Sequence, residues 1–306
     1  MSPTDQAVPT TITVIGLGAM GLPMATNLAT RFSVRGVDIA EDRLELGRSA
    51  GLSVYTSATE AVAGADVVLL AVRDQAQLTE VLFGTTGIVE HMSPGSAIIL
   101  TSTVGMGAVE AVAPALSEAG IRLIDAPISG GPARAGAGDL LVTVGATQED
   151  FDHLAPVLET MSSTLVHVGN APGKGQALKT VNQLLCGIHI AAGAEALALA
   201  DRLGLDQKTA LDALMAGAAA SFMLGDRGPR MLEAYDEPGA EVKSRLDIFV
   251  KDMGIVTDAA HAAGMPVPIA AAAEQTYAAG LVRGWGADDD SSIIRVNAPT
   301  RAENAS

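Results

Sequence analysis

Through the first half of the chain the hydrophobic positions fall in short, nearly unbroken runs: Ile12–Ile15, Val34–Ile39, Val67–Val72, Ala97–Leu100 and Leu123–Ile124. Short apolar runs rich in Val and Ile predict strands, and strands apolar nearly throughout predict a sheet covered on both faces. Between the runs, amphipathic stretches such as Glu41–Ala50 and Gln75–Leu82 predict helices. That alternation reads as βαβ units around a mostly parallel sheet. Two more strands are expected at Leu140–Val144 and Thr164–Val168, with a helix over Glu149–Met161 between them.

The pattern changes at Gly169-Asn170-Ala171-Pro172-Gly173, a turn-rich break after which strand signals fade. Gly175–Leu203 reads as one long helix rich in Ala and Leu, followed by helical segments around Asp206–Ala216, Asp247–Ala263 and Pro268–Leu281. Asp206 is a natural N-cap. The expected organisation is an α/β domain over residues 1–171 and an all-α domain over 172–306. The last residues, from about Ala298, are polar and expected to fray. No repeat of solenoid length interrupts this reading.

A formal net charge of −16 narrows the partners. Such a surface repels nucleic-acid phosphates and anionic membranes, so any anionic ligand needs a local positive site. The one cysteine, Cys186, permits no intramolecular disulfide, which fits a reducing compartment such as the cytoplasm. Residues 1–10 lack the basic and apolar regions of a signal peptide. The Ala-rich stretch Ala191–Ala200 is broken by Glu195 and is too short for a membrane span.

Gly16-Leu17-Gly18-Ala19-Met20-Gly21 follows the first strand and opens a helical pattern. Gly16 permits a tight turn, Gly18 lets the backbone approach a pyrophosphate, and Gly21 lets helix and strand pack closely. The helix N-terminus adds N–H groups and partial positive charge for phosphate. Asp38 lies 22 positions after Gly16, where a carboxylate would accept bonds from the adenosine ribose hydroxyls and repel a 2′-phosphate. This context favours a dinucleotide site, and NAD over NADP, against a mere tight turn with a surface Asp.

Two further segments carry chemistry. Asp125-Ala126-Pro127-Ile128-Ser129-Gly130-Gly131 follows a strand toward the sheet edge where ligands of open α/β sheets bind. There Ser129 offers a hydroxyl and Gly130 and Gly131 offer unshielded N–H groups, a set that could hold a carboxylate. Lys179 lies near the start of the long helix, with Asn182 and Gln183 on its face at i+3 and i+4. A lysine partly removed from water exchanges its proton closer to neutral pH, which suits an acid/base role; Lys174 reads better as a solvated helix-end lysine.

With these motifs together the chain resembles the β-hydroxyacid dehydrogenase family, which includes 3-hydroxyisobutyrate dehydrogenase, tartronate semialdehyde reductase and threonate dehydrogenases. The resemblance runs from residue 12 to about 296 and rests on GLGAMGLPMATNL, DAPISGG, GKGQALKTVNQ and, at Phe249–Gly254, FVKDMG. It implies a Rossmann-type N-terminal domain and a helical C-terminal domain joined by a long helix. It further implies NAD-linked oxidation of a small 3-hydroxy acid, 3-hydroxyisobutyrate-like or a sugar acid such as threonate, or reduction of the matching semialdehyde or keto acid. Lys179 would be the acid/base and Ser129, Gly130 and Gly131 the substrate site, with Asn182 or Gln183 orienting the substrate. Leu17 and Met20 join the glycines as cofactor residues. So do Val72, Thr103 near the nicotinamide end, and Lys251, which reaches cofactor or substrate. Ala71-Val72-Arg73-Asp74 departs from the family, many of whose members carry a proline after this strand. Related enzymes are dimers or tetramers, so a homodimer or homotetramer is expected.

The remaining singletons suggest no metal: the five histidines lack ligand spacing. His189 reads as a buried structural residue on the long helix, although its surroundings, Gly187–Ala192, look threonate-dehydrogenase-like. Cys186 reads as core, and Trp285 as closing either the active site or a subunit contact. An imine reductase of the same fold, or a non-catalytic binding module, is the competing reading. Both are expected to lack a lysine at position 179, and the module would need a basic face.

Overall fold

The computed structural model describes residues 10–301. The chain divides into two compact units, the first ending at Lys179 and the second beginning at Thr180. The first unit runs β1 (Thr11–Ile15), α1 (Gly21–Leu28), β2 (Ser33–Val37), α2 (Glu41–Ser49), β3 (Ser53–Tyr55), α3 (Ala58–Val62), β4 (Val67–Leu70), α4 (Gln75–Phe83), β5 (Ala97–Leu100), α5 (Met106–Glu118), β6 (Arg122–Asp125), β7 (Ile128–Ser129), α6 (Gly131–Gly136), β8 (Leu140–Gly145), α7 (Gln148–Met161) and β9 (Ser162–Gly169). The long helix α8 (Lys174–Arg202) crosses the division. After it come α9 (Gln207–Ala216), α10 (Phe222–Glu233), α11 (Leu246–Ala262), α12 (Pro268–Val282) and α13 (Ile294–Asn297).

The sheet order is β3-β2-β1-β4-β5-β6-β8-β7, with β9 also paired to β8. Strands β1 to β6 are parallel; β8 runs antiparallel to β6 and β7 and parallel to β9. Alternate residues of the central strands enter different cores. Ile12, Val14, Val67, Leu69 and Ile99 pack on one face, and Ile15, Val68, Leu70, Ile98 and Leu100 on the other. Because both faces are covered, both parities are mostly apolar and the strands read as apolar runs; buried Thr13 is the exception in β1, its hydroxyl donating to the Ala61 carbonyl at 2.7 Å. The order reverses between β1 and β4, the place where open α/β sheets leave a crevice at their C-terminal edge.

In the second unit, Ile190, Ala194 and Leu197 of α8 pack with Leu211, Leu224, Met231, Phe249, Met253 and Tyr277 into one core. The Phe249 and Tyr277 rings stack with centroids 5.4 Å apart, and the Tyr277 hydroxyl donates to the Gly187 carbonyl at 3.0 Å. Asp206 caps α9 through a bond from the Thr209 N–H.

Several expectations need correction. Strand β2 stops at Val37 and Ile39 is 95% exposed, while β4 stops at Leu70, before Ala71 and Val72. Helix α10 was not visible in the sequence, since Gly225, Gly228 and Pro229 interrupt its pattern. It forms because Ser221 caps it and because Arg227 and Arg230 pair with buried acids: Arg227 Nη2 lies 2.9 Å from Asp290 Oδ2, and Arg230 Nε 2.9 Å from Asp289 Oδ1. Ala298 is itself held in place. That residue is buried, and its carbonyl accepts from the Tyr235 hydroxyl at 2.8 Å; positions 302–306, like 1–9, lie outside the described residues. Helix α8 as a whole is long and apolar enough to cross a membrane by length and composition, and half of its apolar window is buried inside the protein. The Ala-rich stretch is mostly core, with Ala191, Ala194, Ala198 and Ala200 buried. His189 is half-buried rather than buried, whereas half-buried Cys186 packs against the second-unit core as expected.

Candidate functional site

The Gly16–Gly21 turn lies between β1 and α1, with β4 beside it. Gly16 has φ +95°, and a Cβ there would sit 2.4 Å from the Ala71 carbonyl oxygen. A Cβ on Gly21 would sit 1.7 Å from the Gly16 oxygen. Both positions are closed to any side chain. A Cβ on Gly18, by contrast, would meet nothing within 4 Å. The middle glycine therefore borders open space at the N-terminus of α1, as a cradle for a bound pyrophosphate requires. These residues fit a dinucleotide.

Asp38, at the end of β2, is pinned beside this turn: Oδ2 accepts from the Leu17 N–H at 2.7 Å and Oδ1 from the Ala40 N–H at 2.9 Å. A carboxylate has about four acceptor positions, so two remain for ribose hydroxyls. Leu17 contributes through its backbone, since its side chain is fully buried in the core. Met20 is half-buried and precedes α1. The Val72 N–H donates to Ser102 Oγ at 2.8 Å, which ties the departing loop after β4 to the end of β5.

Thr103 follows Ser102 in the loop between β5 and α5. This loop is held by Gln176. The Gln176 side chain is fully buried and uses its whole amide: Oε1 accepts from the Val104 and Gly105 N–H groups at 3.0 and 3.1 Å, and Nε2 donates to the Ser102 carbonyl at 3.0 Å and to Asp125 Oδ1 at 2.9 Å. Asp125, the last residue of β6, is also fully buried, and its Oδ2 accepts from the Gly173 and Gln176 N–H groups at 2.8 and 2.9 Å. Burial pushes the Asp125 carboxyl above its ordinary range; the bonds from Gln176 and Gly173 pull it down without cancelling that shift. The only hint in the sequence was position, each residue lying inside a motif that already carried chemistry.

Ser129 lies on β7 opposite Leu141 of β8, and Gly130 and Gly131, at φ +145° and +75°, lead into α6. All three are half-buried. Lys179 is 8% exposed and lies on α8 one turn beyond Gln176, whereas Lys174 is exposed.

In the second unit, Asn182 and Gln183 do not play equal parts. Gln183 Nε2 donates to Asp252 Oδ2 at 2.6 Å, and Gln183 Oε1 accepts from Asn182 Nδ2 at 2.9 Å. Asn182 Nδ2 also donates to Cys186 Sγ at 3.4 Å. Lys251 Nζ lies 2.9 Å from Asp252 Oδ1. Asp252, buried at 3% exposure, is thus shared by Gln183, which donates to Oδ2, and by Lys251, which pairs in charge with Oδ1. Trp285 is half-buried and carries the Arg295 and Arg283 guanidinium groups over its ring, at 4.3 and 5.4 Å from the centroid. Among the described residues no cluster of three or more His, Cys, Asp or Glu could hold a metal ion.

Residues 11–169 match the family model described as the NAD binding domain of 6-phosphogluconate dehydrogenase. Residues 173–297 match that described as NAD-binding of NADP-dependent 3-hydroxyisobutyrate dehydrogenase. The chain is 38% identical to L-threonate dehydrogenase of Cupriavidus necator over 93% of its own length and 95% of the relative's. It is 35% identical to L-threonate dehydrogenase of Escherichia coli K12 over 92% and 93%. A crystal structure of 3-hydroxyisobutyrate dehydrogenase from Salmonella typhimurium superposes with a TM-score of 0.87 at 32% identity, covering 94% of this chain and 99% of that one.

Proposed function

The chain belongs to the β-hydroxyacid dehydrogenase family and is a nicotinamide-dependent hydroxy acid oxidoreductase, and from that premise we propose that it oxidises a small sugar acid of the L-threonate type with NAD, using Lys179 as acid/base. The observation that carries the reading is Lys179 itself, a buried lysine one helical turn beyond the Asp125–Gln176 pair. The chemical character of the substrate comes from the names of the relatives. Preference for NAD rests on Asp38, whose remaining lone pairs suit ribose hydroxyls and whose charge opposes a 2′-phosphate.

The bound nicotinamide supplies the acceptor for hydride, and the residues of the chain handle binding and the proton. Ser129 and the N–H groups of Gly130 and Gly131 hold the substrate carboxylate. Neutral Lys179 takes the hydroxyl proton as the carbinol C–H bond gives up its hydride and the C–O bond becomes a carbonyl; in the reverse direction the Lys179 ammonium returns that proton. Asn182 is the orienting amide. Its N–H groups are spent on Gln183 and Cys186, which leaves its carbonyl oxygen to accept from a substrate hydroxyl. Gln183, engaged by Asp252 and Asn182, supports Asn182 rather than the substrate.

We further propose a division of labour near residue 171, with dinucleotide binding before it. A cytoplasmic homodimer or homotetramer completes the reading. It is supported by Val181, Leu185 and Leu199 on α8, each at least half exposed.

A panel of hydroxy acids with each cofactor tests the assignment. Lys179→Ala should lower kcat by about 10²–10⁴-fold and leave NAD affinity nearly unchanged. Ser129→Ala should raise KM more than it lowers kcat, because it removes a contact made in both ground and transition states. A Lys179→Ala enzyme with near-wild-type kcat at every pH would eliminate the acid/base role.

A further inference from the structure

Gln176 and Asp125 join three segments that are far apart in sequence: the Ser102–Gly105 loop after β5, the end of β6, and the first turn of α8. The arrangement is directional. Asp125 accepts from the Gly173 and Gln176 backbone N–H groups and from Gln176 Nε2, and so acts as an acceptor toward each of them. That forces the Gln176 NH₂ toward Asp125 and its carbonyl oxygen toward the N–H groups of Val104 and Gly105. No other orientation of the amide satisfies both sides. The packing beneath is equally tight: a Cβ on Gly175 would lie 2.6 Å from the carbonyl oxygens of both Asp125 and Thr143. The start of α8 therefore rests against strand backbone that cannot give way.

We propose that Gln176, oriented by the Asp125 carboxylate, is a positioning residue that locks the Ser102–Gly105 loop to the first turn of α8, and so sets the placing of Thr103 relative to Lys179. Neither side chain touches the reacting atoms; both act through the groups they hold. The inference rests on the proposed dehydrogenase reading for its kinetic consequence. Its structural consequence stands without it.

Three variants test it. Gln176→Met fills nearly the same volume without the amide bonds. Gln176→Glu sets a carboxylate against Asp125 and the Ser102 carbonyl. Asp125→Asn/Gln176→Glu restores one donor–acceptor pair with the roles exchanged. Hydrogen exchange of the ligand-free protein should show the Val104 and Gly105 amides exchanging about tenfold faster or more in the two single variants, as expected for loss of hydrogen bonds to a buried acceptor. Strands β4 and β5 should keep their protection. With the best hydroxy acid, kcat should fall by about tenfold or more, with a larger primary deuterium isotope effect and little change in KM. The double variant should recover part of both losses. If Gln176→Glu does not fold, Gln176→Met and the double variant still decide. Unchanged amide exchange in Gln176→Met would overturn the proposal, and so would faster exchange with wild-type kcat and isotope effect. A wild-type protein inactive on every hydroxy acid would instead overturn the function proposed above, with amide exchange alone then deciding the positioning role.

Discussion

Gly18 and Gly21 differ by one turn of chain and should differ sharply in what an added methyl group does. At Gly21 the new Cβ would fall 1.7 Å from the Gly16 carbonyl oxygen and 2.8 Å from its carbon, both backbone atoms of the same turn. Relief requires the turn to move, so a loss beyond the usual ~1–3 kcal/mol of overpacking is expected for Gly21→Ala. At Gly18 the Cβ would meet nothing within 4 Å, and its φ is not left-handed. Gly18→Ala should therefore gain about 0.4–1 kcal/mol by restricting the unfolded chain, and melt unchanged or about 1–4 °C higher. The open space is where the pyrophosphate must approach. A methyl group intruding on that contact should cost about 1–3 kcal/mol, or about 5- to 150-fold in the Kd for NAD. Calorimetric titration with NAD and thermal unfolding of both variants check this split. Wild-type affinity in Gly18→Ala, or wild-type stability in Gly21→Ala, would refute the assignment of the two glycines.

In the second unit, Arg230→Ala leaves buried Asp289 without its guanidinium partner and should cost about 3–5 kcal/mol in denaturant unfolding; a loss under about 1 kcal/mol would mean that the backbone donors to Asp289 suffice. Burial raises the Tyr235 phenol to about 12 and moves Tyr277 well above its usual value. Since the fold disfavours both phenolates, this stabilisation is complete below the unfolded-state value of about 10 and is lost as pH rises through the folded value. Phenolate absorbance from these two residues should thus appear together with loss of circular dichroism above about pH 10, and a titration that is complete near that pH in an intact fold would contradict it. For Asp38, the wild-type protein should favour NAD over NADP in kcat/KM, and Asp38→Asn should erode that preference by about 10- to 150-fold, the value of a hydrogen bond to a charged group; equal use of both cofactors by the wild type would contradict the assignment.

The apolar runs, the glycine turn and the N-cap Asp206 were legible in the chain because each is a local rule. A strand buried on both faces has little room for polar residues, a close turn requires glycine, and a helix start favours a short acceptor side chain. Asp38 was marked by its spacing from Gly16, and the resemblance to the family singled out Lys179 and Ser129. Strand β3 escaped notice because Ser53–Tyr55 is a three-residue edge strand, too short to show a period, with Val54 and Tyr55 only partly buried against the two cores. Helix α10 escaped because its glycines and proline argue locally against a helix. Gly228 is required by Leu211, whose Cδ1 would lie 2.5 Å from a Cβ there, and the arginines are fixed by acids some sixty residues away, with separations of 63 for Arg227–Asp290 and 59 for Arg230–Asp289.

The chain by itself determined the class of fold and the segment that carries the dinucleotide-binding domain, since periodicity, turn chemistry and motif spacing are carried by neighbouring residues. Tertiary structure decided how the polar groups around them are paired. The sequence left Asn182 and Gln183 equivalent, and Asp252, 69 positions from Gln183, separates them by taking the Gln183 amide. It left Asp125 and Gln176 as unassigned letters within two motifs, and a separation of 51 positions closes to a 2.9 Å hydrogen bond. A buried donor must find an acceptor wherever the fold supplies one, and no local pattern records a partner that only folding brings within reach.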